Sequence, residues 1–269
     1  MGNNLLKGKK GIIFGALNSE SIAWKTAEKC FEEGAEFILT NAPIALRMGE
    51  INELADRTKS EVIACDVSKD EDMEALIDAA VAKYGKIDFI LHSVGMSLNI
   101  RKNKPYTGSN YDFMHKTLDI SAISFHRLLQ TCYNKDAISE WGSVLALTYI
   151  AAQRVFPDYG EMADSKALLE SITRSFGYHY GAKNKVRVNT ISQSPTMTTA
   201  GSGVGGFSAF VDYAEQMSPL GNANAEDCAN YCVSLFSDYT KMVTMQNLFH
   251  DGGYSFTGVS KQVMDKFGE

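Results

Sequence analysis

The chain lacks the features that mark membrane, secreted or nucleic-acid-binding proteins. No apolar run reaches the roughly 18 residues that a membrane-spanning helix requires, and the segment 1–10 has no apolar centre of the kind found in signal peptides. The net charge of −6 leaves no basic excess for a polyanionic partner. We therefore expect a cytoplasmic protein that binds neither nucleic acid nor a membrane.

Cysteine is scarce and shows neither a metal-binding nor a disulfide pattern. The five cysteines, an odd number, are scattered through apolar segments. Cys228 and Cys232 have the i, i+4 spacing of one helix face, but no histidine or further cysteine lies beside them to complete a metal set. We interpret the cysteines as buried free thiols in a reducing compartment, and we predict no metal site.

Short apolar segments alternate with longer helical segments along almost the whole chain. The predicted strands cover 11–14, 36–40, 61–65, 87–92, 143–147, 185–191 and 244–249, and helices are predicted at 21–33, at 70–84 and up to about 134. This alternation is typical of a parallel sheet covered on both faces. Because no linker or internal repeat divides the chain, we predict a single doubly wound, Rossmann-type α/β domain over residues 1–269, with a seven-stranded parallel sheet.

One segment does not fit this alternation. Residues 195–217, after the sixth predicted strand, begin with several glycines and small polar residues. Ligands of such sheets bind beyond the carboxyl ends of the strands, so we interpret this segment as a substrate lid. An ordinary mobile surface loop is the alternative.

The turn after the first predicted strand carries only part of a dinucleotide-binding fingerprint. The full pattern has several closely spaced glycines, whereas this chain has Gly15 followed by polar residues as far as Ser21. Backbone N–H groups at a helix start can still bind a pyrophosphate, and the Ser21 hydroxyl can add to them. The turn is therefore compatible with a dinucleotide cofactor.

Later turns suit the adenosine and ribose parts of such a cofactor. Asp66 and Val67 follow the third strand and can accept hydrogen bonds from an adenine amino group, although Asp66 could equally cap the next helix. Gly95 follows the fourth strand, where the lack of a side chain lets a ribose approach the backbone. No acidic residue follows the second strand, and Arg47 lies shortly after it. We expect NADH and leave NADPH open.

Two tyrosines and a lysine form the most informative motif. Tyr149 and Tyr159 are ten residues apart, and Lys166 follows Tyr159 by seven residues, close to two helical turns. This spacing predicts that Tyr159 and Lys166 share one helix face. The ammonium would then lower the pKa of the phenol and make it a proton donor near neutral pH. A surface helix that carries both residues by chance is the alternative.

Together these residues resemble the bacterial-type NADH-dependent enoyl-[acyl carrier protein] reductases, a divergent branch of the short-chain dehydrogenase/reductases. The resemblance extends from about Gly8 to Gly253. Besides the double-tyrosine array, the segments that carry it are Gly15–Ala23, Cys65–Val67, His92–Gly95, Val186–Ser192 and Asp251–Gly253.

The same resemblance shows what is missing. Ordinary short-chain dehydrogenases have a Tyr-x3-Lys pair and a carbonyl-polarising serine shortly before that tyrosine. This chain has Met162 four residues before Lys166, and Ala146 thirteen residues before Tyr159. The usual carbonyl-reducing triad is therefore absent, which argues against a ketone reductase.

The resemblance implies a homotetramer that reduces trans-2-enoyl thioesters on acyl carrier protein with hydride from NADH, in fatty-acid elongation. The implied catalytic residues are Tyr149, Tyr159 and Lys166. The Tyr159 hydroxyl would bind the thioester oxygen and Lys166 the nicotinamide ribose, while the role of Tyr149 stays open. The other implied cofactor-binding residues are Gly15, Ser21, Ile22, Asp66, Val67, Val94, Gly95, Thr196, Met197, Thr198, Thr199 and Ala200. The implied substrate-binding residues are Met96, Ser97, Tyr149, Tyr159, Met162 and Phe207, although core packing would also explain the apolar ones.

Departures from the family pattern leave other functions open. Gln193–Pro195 stands where the family has Gly-Pro, Ala42 replaces a glutamine that contacts the adenosine, and 204–212 has no cations to receive an acidic carrier protein. Other candidates for attracting the acidic carrier protein are the cations Lys183, Lys185 and Arg187. The alternative is that these three residues form only a solvated surface. One alternative is another short-chain reductase that acts on a different activated alkene or a ketone. A non-catalytic NAD(H)-binding regulator is the other.

Overall fold

Seven strands form one parallel sheet in the computed structural model, which describes residues 2–47, 49–198 and 207–268. The strands are β1 Lys10–Phe14, β2 Glu36–Asn41, β3 Glu61–Ala64, β4 Ile87–His92, β5 Ile138–Thr148, β6 Arg187–Gln193 and β7 Asn247–His250. Their order is β3-β2-β1-β4-β5-β6-β7, and every neighbouring pair is parallel. This is a doubly wound order, and it confirms the predicted fold class.

Helices connect the strands and lie on both faces of the sheet. They are α1 Ile22–Glu32, α2 Pro43–Leu46, α3 Glu50–Thr58, α4 Asp70–Tyr84, α5 Leu98–Arg101, α6 Tyr111–Leu118, α7 Ser124–Asn134, α8 Met162–Asn184, α9 Phe207–Met217, α10 Ala225–Phe236 and α11 Lys261–Phe267. A π-helical turn, Asp119–Ile123, joins α6 to α7. None of the helices in the described ranges is long and apolar enough to cross a membrane.

Two apolar layers, one on each face, hold the sheet and helices together. On one face α4, α7 and α8 pack against the strands through fully buried residues such as Leu76, Phe125 and Leu169. On the other face α1, α3 and α10 do the same, with Leu54 and Cys232 fully buried. Alternate side chains of a strand point to opposite faces, so the central strands contribute to both layers. All five cysteines are buried free thiols, as predicted.

The predicted bounds are wrong by two residues or more at three strands, β5, β6 and β7, and β7 begins at Asn247 although the sequence predicts a start at 244. β5 begins at Ile138, well before the predicted start at Ser143. Its first part is irregular, because Trp141 adopts a φ of +63° and a register shift interrupts the pairing with β4. Both irregularities obscure the sequence pattern of a strand. β6 begins at Arg187 because Lys185, with φ +60°, ends α8 in the left-handed region.

The chain order places a crevice at one edge of the sheet. β1 and β4 are neighbours, but β1 leads into α1 on one face and β4 leads, through α5 and α6, into α7 on the other. Connections that diverge in this way leave a gap beyond the carboxyl ends of the two strands. In doubly wound sheets this gap is where ligands bind.

Candidate active site

A cavity of about 910 Å³ opens beyond the carboxyl ends of the strands. Its walls come from the turns after β1, β2, β3 and β4, from the ends of β5 and β6, and from the first turns of α8 and α9. It therefore occupies the crevice between the diverging connections of β1 and β4.

Gly15 lets the turn after β1 lie directly against the turn after β4. Its φ of +92° is in the left-handed region, and a Cβ atom there would lie 2.0 Å from the carbonyl oxygen of Ser93. A side chain is excluded because the clash is with backbone, which cannot move aside. One glycine thus brings the start of α1 to the cavity, although the full glycine pattern is absent.

Ser21 is the N-cap of α1 and also lines the cavity. Its hydroxyl accepts the N–H of Trp24 at 3.3 Å and donates to the carbonyl oxygen of Asn18 at 2.8 Å. The N–H groups of the first helical turn can bind an anion such as a pyrophosphate. The hydroxyl itself is already engaged in capping the helix.

Positive charge predominates on the cavity wall. The charged residues in the described lining are one carboxylate, Asp66, and four cations, Arg47, Lys69, Arg101 and Lys166. The Asp66 carboxylate accepts the backbone N–H and the hydroxyl of Ser68 at 3.1 and 2.7 Å, and the hydroxyl hydrogen bond lowers its pKa. Asp66 thus closes a local turn, and the excess of cations suits a dinucleotide pyrophosphate.

Tyr159 does not lie on the helix that carries Lys166, so this part of the prediction is wrong. Tyr159 ends a 3-10 turn that begins at Pro157, and α8 starts only at Met162. Between them Gly160 has φ +52° and ψ −147°, which is not a helical conformation. Tyr159 and Lys166 nevertheless both line the cavity, together with Tyr149. The ring centroids of the two tyrosines are 5.2 Å apart.

Burial decides the ionisation of these three groups. It raises the pKa of both phenols, Tyr159 and Tyr149, so both are neutral near neutral pH. The predicted lowering of the Tyr159 pKa by Lys166 is therefore wrong. Burial also lowers the pKa of Lys166 to about 8, because desolvation disfavours its ammonium form. A neutral phenol is still a hydrogen-bond donor, as the predicted role requires.

Lys166 is held by the end of β5. Its Nζ donates to the carbonyl oxygen of Leu147 at 2.9 Å. A Cβ atom at Gly95 would lie 3.8 Å from that Nζ and 3.5 Å from Cε of Met162. The missing side chain of Gly95 therefore leaves space beside the ammonium, as the binding of a ribose hydroxyl requires.

Most of the predicted site residues line this one cavity. They are Gly15, Ser21, Ile22, Asp66, Val67, Val94, Gly95, Met96, Ser97, Tyr149, Tyr159, Met162, Lys166, Thr196, Thr198 and Phe207. Met197 lines a smaller neighbouring depression instead, and its side chain is 53% exposed. Thr199 and Ala200, with the rest of the predicted lid up to 206, lie outside the described residues. The functions of these residues stay predictions.

Sequence reasoning missed a stripe of buried hydroxyls behind the cavity. Thr117, Ser121 and Ser124 are fully buried and follow i, i+4, i+7 spacing from α6 through the π-helical turn into α7. Ser121 Oγ accepts the N–H of Met96 at 3.0 Å, and Ser124 Oγ lies 2.9 Å from Nε2 of His92. The spacing is visible in the sequence, but nothing there shows that this helix face is buried.

Comparison with known proteins identifies the family. The family model described as "Enoyl-(Acyl carrier protein) reductase" matches residues 15–255. The chain belongs to the enoyl-(acyl carrier protein) reductase family. This confirms the resemblance read from the double-tyrosine array. A curated relative, Enoyl-[acyl-carrier-protein] reductase [NADH] 2 of Rhizobium meliloti, is 34% identical over 96% of this chain and 95% of its own length.

Solved structures of the family share the fold. The FabI–NADH complex from Alistipes finegoldii has a TM-score of 0.96 and 58% identity, over 97% of this chain and 93% of that one. The enoyl-[acyl-carrier-protein] reductase (NADH) from Aquifex aeolicus has a TM-score of 0.88 and 30% identity, over 95% and 99% of the two chains. The likeness therefore covers nearly the whole chain.

Gln193 and Ser194, in the segment Gln193–Pro195 that stands where the family resemblance places Gly-Pro, bind the root of the predicted lid to its neighbours. The Gln193 side-chain nitrogen donates to the carbonyl oxygen of Ala223 at 3.0 Å, and its oxygen lies 2.7 Å from Nδ1 of His250. The Ser194 hydroxyl accepts the N–H of Ala223 at 3.0 Å. This departure thus gives a well-bonded segment at the edge of the cavity.

The candidate carrier-docking cations do not form a surface beside the cavity. Arg187 is only 2% exposed and donates to backbone carbonyls, so its prediction as a docking residue is wrong. Lys183 and Lys185 lie at the carboxyl end of α8, whereas the cavity borders the amino end of that helix. Lys183 also pairs with Asp136 at 3.2 Å.

Proposed function

We propose that this chain reduces trans-2-enoyl thioesters carried by acyl carrier protein to saturated acyl thioesters, with NADH as hydride donor, in fatty-acid elongation. The observation that carries the proposal is the meeting of Tyr159, Lys166 and Gly95 at one cavity in a member of the enoyl-(acyl carrier protein) reductase family. Curated relatives are named as NADH enzymes, which supports NADH as the cofactor.

The wall of the cavity provides a binding role for each part of the cofactor. Bound NADH supplies the hydride. The start of α1, behind Gly15, binds the pyrophosphate through backbone N–H groups. The turn at Asp66 and Val67 borders the adenine, and Lys166 binds the nicotinamide ribose beside Gly95. The remaining residues assigned to the cofactor are Ser21, Ile22, Val94, Thr196, Met197, Thr198, Thr199 and Ala200.

Tyr159 acts on the substrate. Addition of a hydride at the β-carbon shifts the double-bond electrons toward the thioester carbonyl, and negative charge collects on its oxygen as an enolate. The neutral Tyr159 hydroxyl donates a hydrogen bond to this oxygen and stabilises the charge where it develops. A proton from solvent then adds at the α-carbon and gives the saturated thioester. Tyr149 packs against Tyr159 and borders the same substrate, with Met96, Ser97, Met162 and Phe207 along the acyl chain.

The same cavity supports ketone reduction less well than enoyl reduction. Short-chain ketone reductases use a serine hydroxyl on the strand that ends beside the substrate carbonyl. Here that position is Ala146, which is fully buried in β5 and has no polar side chain. The catalytic tyrosine position of those enzymes holds Met162, whose thioether is at most a weak hydrogen-bond acceptor.

Steady-state kinetics with purified protein test this function. We expect NADH to be oxidised with crotonyl-carrier protein and to remain unchanged with an acetoacetyl thioester. Tight NADH binding without turnover of any enoyl thioester would instead support a regulator. Reduction of the ketone but not the alkene would support an ordinary short-chain reductase.

The family resemblance supports an oligomeric assembly. We propose a homotetramer in the cytoplasm that receives its substrate from acyl carrier protein. Size-exclusion chromatography with light scattering measures the assembly, and a monomer at micromolar concentration would contradict the proposed tetramer.

A further inference from the structure

Glu161 is a buried carboxylate that the proposed chemistry does not use. Its side chain is 0% exposed. Oε1 lies 2.7 Å from the hydroxyl of Ser97 and 2.8 Å from the hydroxyl of Thr117. Oε2 is also buried and has no hydrogen-bond partner among the described residues. A carboxylate that is only partly satisfied lowers stability relative to an apolar side chain of similar size, so packing alone does not explain it.

The position of Glu161 connects it to the reactive tyrosine. It directly precedes α8 and follows Tyr159 by two residues, with Gly160 between them. A Cβ atom at Gly160 would lie 3.3 Å from Cγ1 of Ile100, so the Tyr159–Gly160 turn already packs closely against α5. The hydrogen bond from Ser97, the N-cap of α5, attaches the same turn to the same helix. The turn is thus fixed to α5 at two points.

The Ser97 hydroxyl is oriented toward Glu161 by a further hydrogen bond. Ser97 accepts the N–H of Ile100 at 3.1 Å, which leaves its hydroxyl hydrogen for Glu161. Thr117 belongs to the buried hydroxyl stripe and lies on α6, and its hydroxyl has two acceptors within reach, Oε1 of Glu161 at 2.8 Å and the carbonyl oxygen of Phe113 at 2.9 Å. Glu161 therefore connects the Tyr159 turn with α5 and α6. The next hydroxyl of the stripe, that of Ser121, lies 3.8 Å from the sulfur of Met162.

We propose that Glu161 is a positioning residue: it attaches the Tyr159–Gly160 turn to α5 and α6 and thereby holds the Tyr159 hydroxyl at the substrate oxygen. This rests on the proposed function, because the hydroxyl acts there on an enolate. Displacement of a reacting group by about 1 Å can lower a rate by about a hundredfold. Glu161 therefore acts on kcat and leaves the cofactor half of the cavity unaffected.

The test compares Glu161→Leu, Glu161→Gln and a matched control. Leu removes the acceptor, whereas the Gln side-chain carbonyl still accepts both hydroxyls. The control is Glu33→Leu, which replaces another buried glutamate, 2% exposed, at the C-cap of α1. We expect Glu161→Leu to lower kcat about 10- to 100-fold with an unchanged NADH dissociation constant. Glu161→Gln restores most of the rate, and Glu33→Leu lowers only the melting temperature.

Two further readouts keep the test decisive. If Glu161→Leu fails to fold, Thr117→Val takes its place, because it removes one of the two hydroxyls beside Oε1 without changing a residue of the cavity wall. The fluorine NMR signal of 3-fluorotyrosine at position 159 reports the position of the ring without turnover, and we expect it to shift or broaden in Glu161→Leu but not in Glu33→Leu. An unchanged kcat and an unchanged signal in Glu161→Leu would overturn the proposal. Wild-type protein without enoyl reduction would instead contradict the proposed function, and the NMR comparison would still decide the role of Glu161.

Discussion

Three ionisable side chains, those of Tyr149, Tyr159 and Lys166, line the cavity together, and burial keeps the two tyrosines neutral. The sequence predicts that Lys166 activates Tyr159 by lowering its pKa, whereas the structure shows that desolvation of the phenol has the larger effect. This changes the chemistry expected of Tyr159. A neutral phenol donates a hydrogen bond to an enolate and does not need to ionise to do so.

Removal of that donor tests its role. We expect Tyr159→Phe to lower kcat by about 10²- to 10³-fold, because one donor to a developing oxyanion is removed. The NADH dissociation constant should stay the same. Tyr180→Phe is the matched control, because Tyr180 is also buried and donates to the carbonyl oxygen of Leu129 at 2.8 Å, away from the cavity. A Tyr159→Phe enzyme as fast as Tyr180→Phe would show that Tyr159 is not the donor.

We expect Lys166 to make cofactor binding depend on pH. With its pKa lowered to about 8 by burial, Lys166 in the free protein is an ammonium below that pH and a neutral amine above it. The anionic cofactor binds the ammonium form more tightly. Titration of NADH fluorescence should therefore give a dissociation constant that rises as the pH passes above about 8. In Lys166→Met we expect weaker binding and no such rise, and an equally flat profile in the wild-type protein would contradict the assignment.

At the scale of elements, apolar strands are predictable and the loops between them are not. The predicted bounds of β4 and α4 are those of the structure, because each has a periodic apolar pattern and a clear end. The Tyr159 turn was misread as helix because its helical spacing is real. Gly160, with φ +52°, interrupts the helical conformation, and its turn packs against Ile100, which is far away in sequence.

Arg187 shows how one buried side chain completes an element. Its guanidinium donates to the carbonyl oxygens of Leu235, Ser237 and Thr240 at 2.8, 3.3 and 3.1 Å, and so it satisfies the end of α10. Sequence reasoning placed it on the surface, because arginine is usually exposed and its partners follow about 50 residues later.

Replacement of Arg187 should lower stability more than activity. We expect Arg187→Met to reduce the free energy of unfolding by about 2–4 kcal/mol, since several buried carbonyls lose their donor. Urea denaturation measures this loss. Lys183→Met removes an exposed cation from the same end of the sheet and should change the unfolding midpoint little. Equal midpoints in the two variants would mean that Arg187 does not complete α10.

At the scale of the whole molecule, chain order explains why so much of the site is predictable. In a doubly wound sheet the residues that follow β1, β3 and β4 come together whatever their exact conformation, so Gly15, Asp66 and Gly95 could be assigned to one site from sequence. Contacts between distant segments could not be predicted from the sequence. The Glu161–Ser97 and Gln193–Ala223 hydrogen bonds join loops whose relative positions exist only in the folded chain.

The fate of the hydride tests the central claim most directly. With NADH that carries deuterium at both C4 positions and a crotonyl thioester, mass spectrometry and NMR of the product locate the transferred atom. We expect one deuterium at the β-carbon and one solvent hydrogen at the α-carbon of a saturated thioester, formed far more slowly by Tyr159→Phe. Deuterium at a former carbonyl carbon, or bound NADH that transfers no deuterium to any enoyl thioester, would contradict enoyl reduction by this chain.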